Sequence, residues 1–181
     1  MKNEFAVRRL DVKAFAEACG QLAGQETIGR QQRLMAETQG SSVEPTMSWS
    51  AQGELRNPGL GQPEVWLHLR AQIVLPMTCQ RCLGPVDVPI AVDRWFRFVA
   101  DETTAAAQDD QSEEDVLALS ASFDLMELTE DELLMELPVA PRHEICPGPV
   151  KLAVADAAFE AASQPRDNPF ALLQKLKTGK Q

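Results

Sequence analysis

The hydrophobic positions of this chain change period several times, and the changes mark out its elements. Over residues 43–55, Val43, Pro45, Met47, Trp49, Ala51 and Leu55 alternate with Glu44, Thr46, Ser48, Ser50, Gln52 and Glu54. A period of two belongs to a strand with one buried face. Asn57-Pro58-Gly59-Leu60-Gly61 then breaks the run with turn residues. The next run is the clearest strand of the chain, with Val65, Leu67, Leu69, Ala71, Ile73 and Leu75 on one face and Trp66, His68, Arg70 and Gln72 on the other. Pro76 is expected to end it. After a turn at residues 79–82 the alternation resumes through Val86, Val88, Ile90, Val92, Phe96 and Phe98, interrupted once by Arg94. Pro89 has no amide hydrogen to give to a ladder, so its part of the strand belongs at an edge or a bulge.

Helical spacing replaces alternation on either side of this block. Leu10, Ala14, Phe15, Ala18 and Leu22 form a stripe over residues 10–23, with a stop near Gly24. Asp124 opens a second stripe of Leu125, Leu128, Leu133 and Leu137 that Pro138 closes. Inside it, Thr129-Glu130-Asp131-Glu132 has the form of a second cap, at which the helix is expected to restart. Alanine-rich residues 151–162 are expected to be helical, and Asn168 caps a last short helix with Pro169 in its first position and Phe170, Leu173 and Leu176 as its stripe. The economical arrangement is α+β: an antiparallel β-meander, curved into a small sheet or partial barrel and flanked by helices. The 181 residues suit one domain over residues 1–164, followed by a basic tail, residues 165–181, that carries the short amphipathic helix.

Charge is distributed unevenly. The chain has a net charge of −10, and residues 101–164 hold sixteen acidic side chains against Arg142 and Lys151, whereas the tail has Arg166, Lys175, Lys177 and Lys180 against Asp167. Residues 101–115 lack any large apolar side chain and predict a solvated flexible loop, or an acidic arm that orders on a basic partner. Long-range attraction to nucleic acid is opposed by this block, which leaves only local contacts. No apolar run approaches the length of a membrane span, and the opening residues lack a signal-peptide core, so a cytoplasmic protein without a membrane partner is expected.

Cys79-Gln80-Arg81-Cys82, in a turn between two apolar strands, is the stretch richest in chemistry. Its spacing fits a redox pair, half of a zinc site or a tight turn of buried thiols. His143-Glu144-Ile145-Cys146 offers an imidazole and a thiolate, so the candidate metal set is Cys79, Cys82, His143 and Cys146, with zinc as the ion. A thioredoxin-like role is disfavoured because Gly84-Pro85 leads into a strand rather than a helix. No phosphate-cradling glycine loop, Gly-x-Ser-x-Gly elbow or paired histidines at ligand spacing occur, and no catalytic group is assigned.

Three segments in this order resemble the YceD family, the large ribosomal RNA subunit accumulation proteins. They are Cys79-Gln80-Arg81-Cys82-Leu83; Asp124-Leu125 with Glu130-Asp131-Glu132-Leu133 and Leu137-Pro138-Val139; and Asn168-Pro169-Phe170-Ala171-Leu172-Leu173 with Leu176-Lys177. The resemblance implies a non-catalytic role, with no cofactor, in the synthesis, processing or accumulation of large-subunit (23S) ribosomal RNA. Many members carry further cysteines after the central helix, where this chain has only His143 and Cys146. Contact with the RNA or its precursor can be direct, through Arg81 with Arg70, Arg94 and Arg97 on phosphates and Trp66 and Trp95 stacking on bases. The competing reading pairs these arginines with Glu54, Glu64, Asp87 and Asp93 and packs the tryptophans beneath the N-terminal helix. The indirect route uses the acidic arm and helix to hold a basic ribosomal protein or assembly factor. In the tail, Asn168, Phe170, Lys175 and Lys177 either dock on the core or enter a partner's groove.

Overall fold

The computed structural model of the chain describes residues 5–38, 44–57, 59, 61–148, 154, 156 and 159. The chain divides into two compact units, Met1–Ile145 and Cys146–Gln181. In the second, Asp156 accepts a hydrogen bond from the Phe159 amide at 2.6 Å. The helices expected over residues 151–162 and 168–177, and with them Asn168, Phe170, Lys175 and Lys177, lie outside the described residues.

The first unit is built on a five-stranded sheet: β1 Gln21–Thr27, β2 Thr46–Arg56, β3 Glu64–Thr78, β4 Pro85–Val99 and β5 Asp115–Ala118. The spatial order is β1-β2-β3-β4-β5; the first four strands are antiparallel neighbours, and β5 runs parallel to β4. The α+β class and central meander are therefore as expected, and the sheet is open rather than closed into a barrel. Alternation places Leu67, Leu69, Phe96 and Phe98 on one face, where they bury against Phe15 and Leu34 and against Leu125 and Leu133. Each such fully buried side chain stabilises the fold by roughly 1.5–3 kcal/mol. The opposite face carries Ser48, Ser50, Gln52, His68, Arg70 and Gln72.

Helix α1 is shorter than the stripe over residues 10–23 suggests. It spans Val12–Glu17, capped by Asp11, and the chain reverses at Cys19, whose φ of 47° is left-handed, and at Gly20, whose amide donates to Phe15 O at 2.9 Å. Leu22 then serves a strand rather than a helix, opposite Ala51 in β2, and Gly24 lies within β1 instead of stopping a helix. Pro76 does not end β3 either. It faces Asp87 in β4, beyond the reach of β2, whose pairing with β3 stops at Gln72, so no ladder on that side needs its missing amide hydrogen. Pro89 pairs with Val74 at a point where β4 has no second neighbour among the described residues, the edge position expected of it.

Residues 101–115, expected as a loop, contain a helix. Asp101 accepts from the Thr104 amide at 2.8 Å and opens α3, Glu102–Asp109, and the Asp109 carboxylate takes the Val116 amide at 2.9 Å, fixing the start of β5. Before the second strand, α2 spans Gln32–Ala36, and after β5, α4 spans Leu125–Met135. Asp124 caps α4 as expected, accepting from the amides of Met126 and Glu127 at 2.9 and 3.2 Å. The second cap does not form: α4 runs unbroken through Thr129, whose hydroxyl donates back to Leu125 O at 2.7 Å. Replacing Asp124 by Ala is expected to lower stability by about 1 kcal/mol, read as an earlier urea midpoint with an unchanged slope. An unchanged midpoint would remove the cap from the account.

One consequence of register positions the cysteine turn. β3 and β4 pair from Val65 to Thr78, whereas β2 accompanies β3 only as far as Gln72 and β5 accompanies β4 only over its last residues. From Ile73 onward the two strands project beyond the rest of the sheet as a ribbon about 20 Å long. Ile73, Leu75, Met77 and Ile90 keep one side of it in the core. The turn at residues 79–82 is its tip.

Candidate functional site

At that tip the backbone folds tightly around one sulfur. The Cys79 amide donates to Gly84 O and the Leu83 amide to Cys79 O, both at 2.8 Å, and Leu83 takes a left-handed φ of 59°. Cys79 is fully buried. Burial alone raises its thiol pKa, but the amides of Cys82, His143 and Arg81 and the Cys82 side chain all favour the thiolate and bring it down from 9.0 to about 5.

The segment after α4 is fastened to this turn. The Gln80 amide donates to Pro141 O at 2.8 Å, and the Arg81 guanidinium donates to the carbonyls of His143 and Glu144 at 2.9 and 3.2 Å. Arg81, placed in sequence as the leading phosphate contact, thus also positions the stretch that follows α4. Nδ1 of His143 comes within 3.4 Å of Cys82 Sγ. Three residues on, Cys146 completes a group in which the donor atoms of Cys79, Cys82, His143 and Cys146 all lie within 4.8 Å of one another. These four residues are those picked out by spacing, and their atoms are of a kind that can hold a metal ion.

Arg70, Trp66, Trp95 and Arg97 lie on the face of the sheet that no described helix covers, and they are engaged with neighbouring side chains. Arg56, which no motif singles out, lies 4.1 Å from the ring of Trp66 and 4.1 Å from that of Trp95. His68 stacks on Trp95 at 4.2 Å, nearly parallel, and its Nε2 donates to Asp93 at 2.5 Å. Asp93 also pairs with Arg70 at 3.0 Å, and the hydrogen bond from His68, with the charge of Arg70, holds its carboxyl below the ordinary value. Trp66 is buried, with its indole N–H on Glu64. Trp95 thus already stacks with His68 and carries the Arg56 guanidinium. Beside this stack a groove of about 390 Å³ runs across the face, lined by Ser48, Ser50, Arg70, Gln72, Ala91 and Asp93. Arg97, near Glu64 and bonded to Gln108 at 3.0 Å, closes the far end of the row. Arg94 lies on the helix-covered face, held by Asp115 at 2.7 Å and Glu132 at 2.9 Å.

The acidic triplet of α4 is committed to the fold. Glu130 Oε1 accepts from the Arg33 and Leu34 amides at 2.9 and 3.1 Å, capping α2 from outside, and Asp131 pairs with the Arg33 side chain at 2.5 Å. Glu132, 5% exposed, meets Arg94, and burial raises its carboxyl pKa despite that partner.

No solved structure matches the chain. The sequence pattern described as "Large ribosomal RNA subunit accumulation protein YceD" matches residues 67–177, which takes in most of β3, all of β4 and β5, α4 and the four clustered metal-ligand types. A match over more than half of the sequence, through the cysteine turn and the capped acidic helix alike, places this chain in the YceD family.

Proposed function

We propose that the protein is a non-catalytic cytoplasmic factor that supports synthesis, processing or accumulation of 23S ribosomal RNA, and that it touches this RNA directly through the uncovered face of the sheet. Family membership supports the large-subunit role. The observation that favours a direct route is that Glu130, Asp131 and Glu132 are bonded within the fold, which removes the α4 triplet as a ready cradle for a basic protein. The sheet face instead offers two hollows that share Ser50 and Arg70, one lined also by Gln72 and the other by His68. Phosphate contact suits it better than base stacking, since Trp66 is buried and Trp95 already stacks with His68 and Arg56.

Arg70 shares Asp93 with His68, so an incoming phosphate competes with that carboxylate. Two substitutions should therefore move RNA binding in opposite directions. Arg70→Ala is expected to weaken binding to large-subunit precursor RNA and lower the salt slope by about 1, and Asp93→Asn to strengthen it. Pulldown of the tagged protein from lysate, with and without ribonuclease, supplies the cellular counterpart. Recovery of precursor RNA that ribonuclease abolishes supports the reading. A basic ribosomal protein recovered equally after ribonuclease, with neither substitution altering RNA binding, overturns it in favour of the indirect route.

A further inference from the structure

We propose that Cys79, Cys82, His143 and Cys146 bind one structural zinc ion at the tip of the β3–β4 ribbon, a site independent of the proposed RNA contact. Tetrahedral zinc, with Zn–S near 2.3 Å and Zn–N near 2.0 Å, places its donor atoms roughly 3.5–3.8 Å apart. The Cys82 Sγ to His143 Nδ1 separation of 3.4 Å already matches that edge, and all four donors lie within 4.8 Å of one another, about 1 Å beyond it. Three sulfurs and an imidazole select a borderline-soft ion and disfavour magnesium and calcium, which take oxygen.

Three features separate this site from a packed cluster of thiols. His143 brings Nδ1 to 3.4 Å from Cys82 Sγ, and a packed cluster of thiols needs no imidazole. Three thiolates around a divalent ion leave one net negative charge, and the Arg81 guanidinium lies on the carbonyls of His143 and Glu144 beside it. The location also has a mechanical reason: a two-stranded ribbon is marginal in isolation, and here its tip is tied to the segment after α4 through donors sixty-odd residues apart in sequence. On binding, each cysteine that is still a thiol releases its proton to solvent. A redox pair would use only Cys79 and Cys82 and would give no place to His143 and Cys146.

The test is metal content. Full-length protein purified without chelator is expected to carry about one zinc per chain by elemental analysis and native mass spectrometry. Cys79→Ser, Cys82→Ser and Cys146→Ser should each lose it, and Cys19→Ser, at an exposed position outside the cluster, should retain it. Because a serine variant can lose metal by misfolding, Cys146→His supplies a conservative replacement. It should still bind cobalt(II), with thiolate charge-transfer absorption reduced by about a third. Wild-type protein that is folded and reduced yet binds neither zinc nor cobalt overturns the proposal, as does a Cys79–Cys82 disulfide in freshly isolated protein. None of these readouts depends on RNA binding, so the metal site and the functional reading can fail separately.

Discussion

Arg94→Met should cost the fold roughly 2–4 kcal/mol, because it leaves the buried carboxylate of Glu132 without its cation. Glu132 is 5% exposed, and the Arg94 guanidinium reaches it at 2.9 Å while binding Asp115 at 2.7 Å. Asp115 is exposed enough to be hydrated once Arg94 is gone, but Glu132 is not. The estimate sits below the usual penalty for a fully buried pair because Arg94 itself is one-third exposed. Removing both partners together, as Arg94→Met with Glu132→Leu, should recover most of the loss, since neither charge then remains to be desolvated. The loss should also depend on pH. Burial raises the folded pKa of Glu132 above 4.5, so the folded state binds that proton more tightly than the unfolded chain does. The destabilisation caused by this carboxylate is full above its folded pKa and fades as the pH falls towards the unfolded value. Loss of Arg94 raises the folded pKa further, so the gap between variant and wild type should be wide at about pH 8 and narrow at about pH 5. Urea melts at both values read it directly. A gap that is equal at both, or a double variant as weak as the single, would show that Arg94 stabilises by packing alone.

Gly53→Ala is expected to destabilise by about 2–3 kcal/mol, and Gly53→Val by more. A Cβ at this position would stand 2.7 Å from Phe15 Cδ1 and 2.9 Å from both the N and the Cα of Ala16. The last two are backbone atoms of α1, so relief requires the helix to lift from the sheet, exposing Phe15, which is fully buried. The Gly53 amide donates to Gly20 O at 3.0 Å, and the same displacement would lengthen that bond. Relieving glycine's backbone entropy favours alanine by only about 0.5–1 kcal/mol, so the steric term sets the sign. Thermal melts together with proteolytic cleavage at the N-terminal segment measure the effect. An alanine variant as stable as wild type would mean that α1 does not sit as closely on β2 as these distances require.

The central strands were legible because burial on one face of a sheet writes itself as alternation, and Leu67 to Ile73 alternate without a fault. β1 was not legible, because Leu22 satisfies a helical stripe and a strand equally and only its pairing with Ala51 decides between them. The nearer stop signal was at Cys19 and Gly20, where the left-handed turn occurs, not at Gly24. α3 was hidden for a related reason: residues 102–109 bury only Ala105, so no apolar stripe announces the helix, and the cap at Asp101 is its sole local mark. In the cysteine cluster the residue types and their spacing named the four members, but convergence across sixty residues is a property of the fold. The arginines show the converse. Arg70 and Asp93 face each other in the β3–β4 register, which composition cannot reveal, whereas the place of Arg94 on the apolar face was already marked by its interruption of the alternation. Gly53 was passed over, although a glycine within a strand marks a close backbone approach, here that of α1.

Pro89 bears on how copies of this chain coexist at high concentration. Beyond the short contact with β5, the outer edge of β4 meets no strand among the described residues, and a bare edge is a template on which a second molecule can add a strand. Along this stretch Pro89 has no amide hydrogen to offer an incoming backbone, and the exposed Asp87 beside it places negative charge there. Two like chains meeting there would repel before they could zip together, so the chain guards against sheet-to-sheet aggregation at the edge that its own topology leaves uncovered.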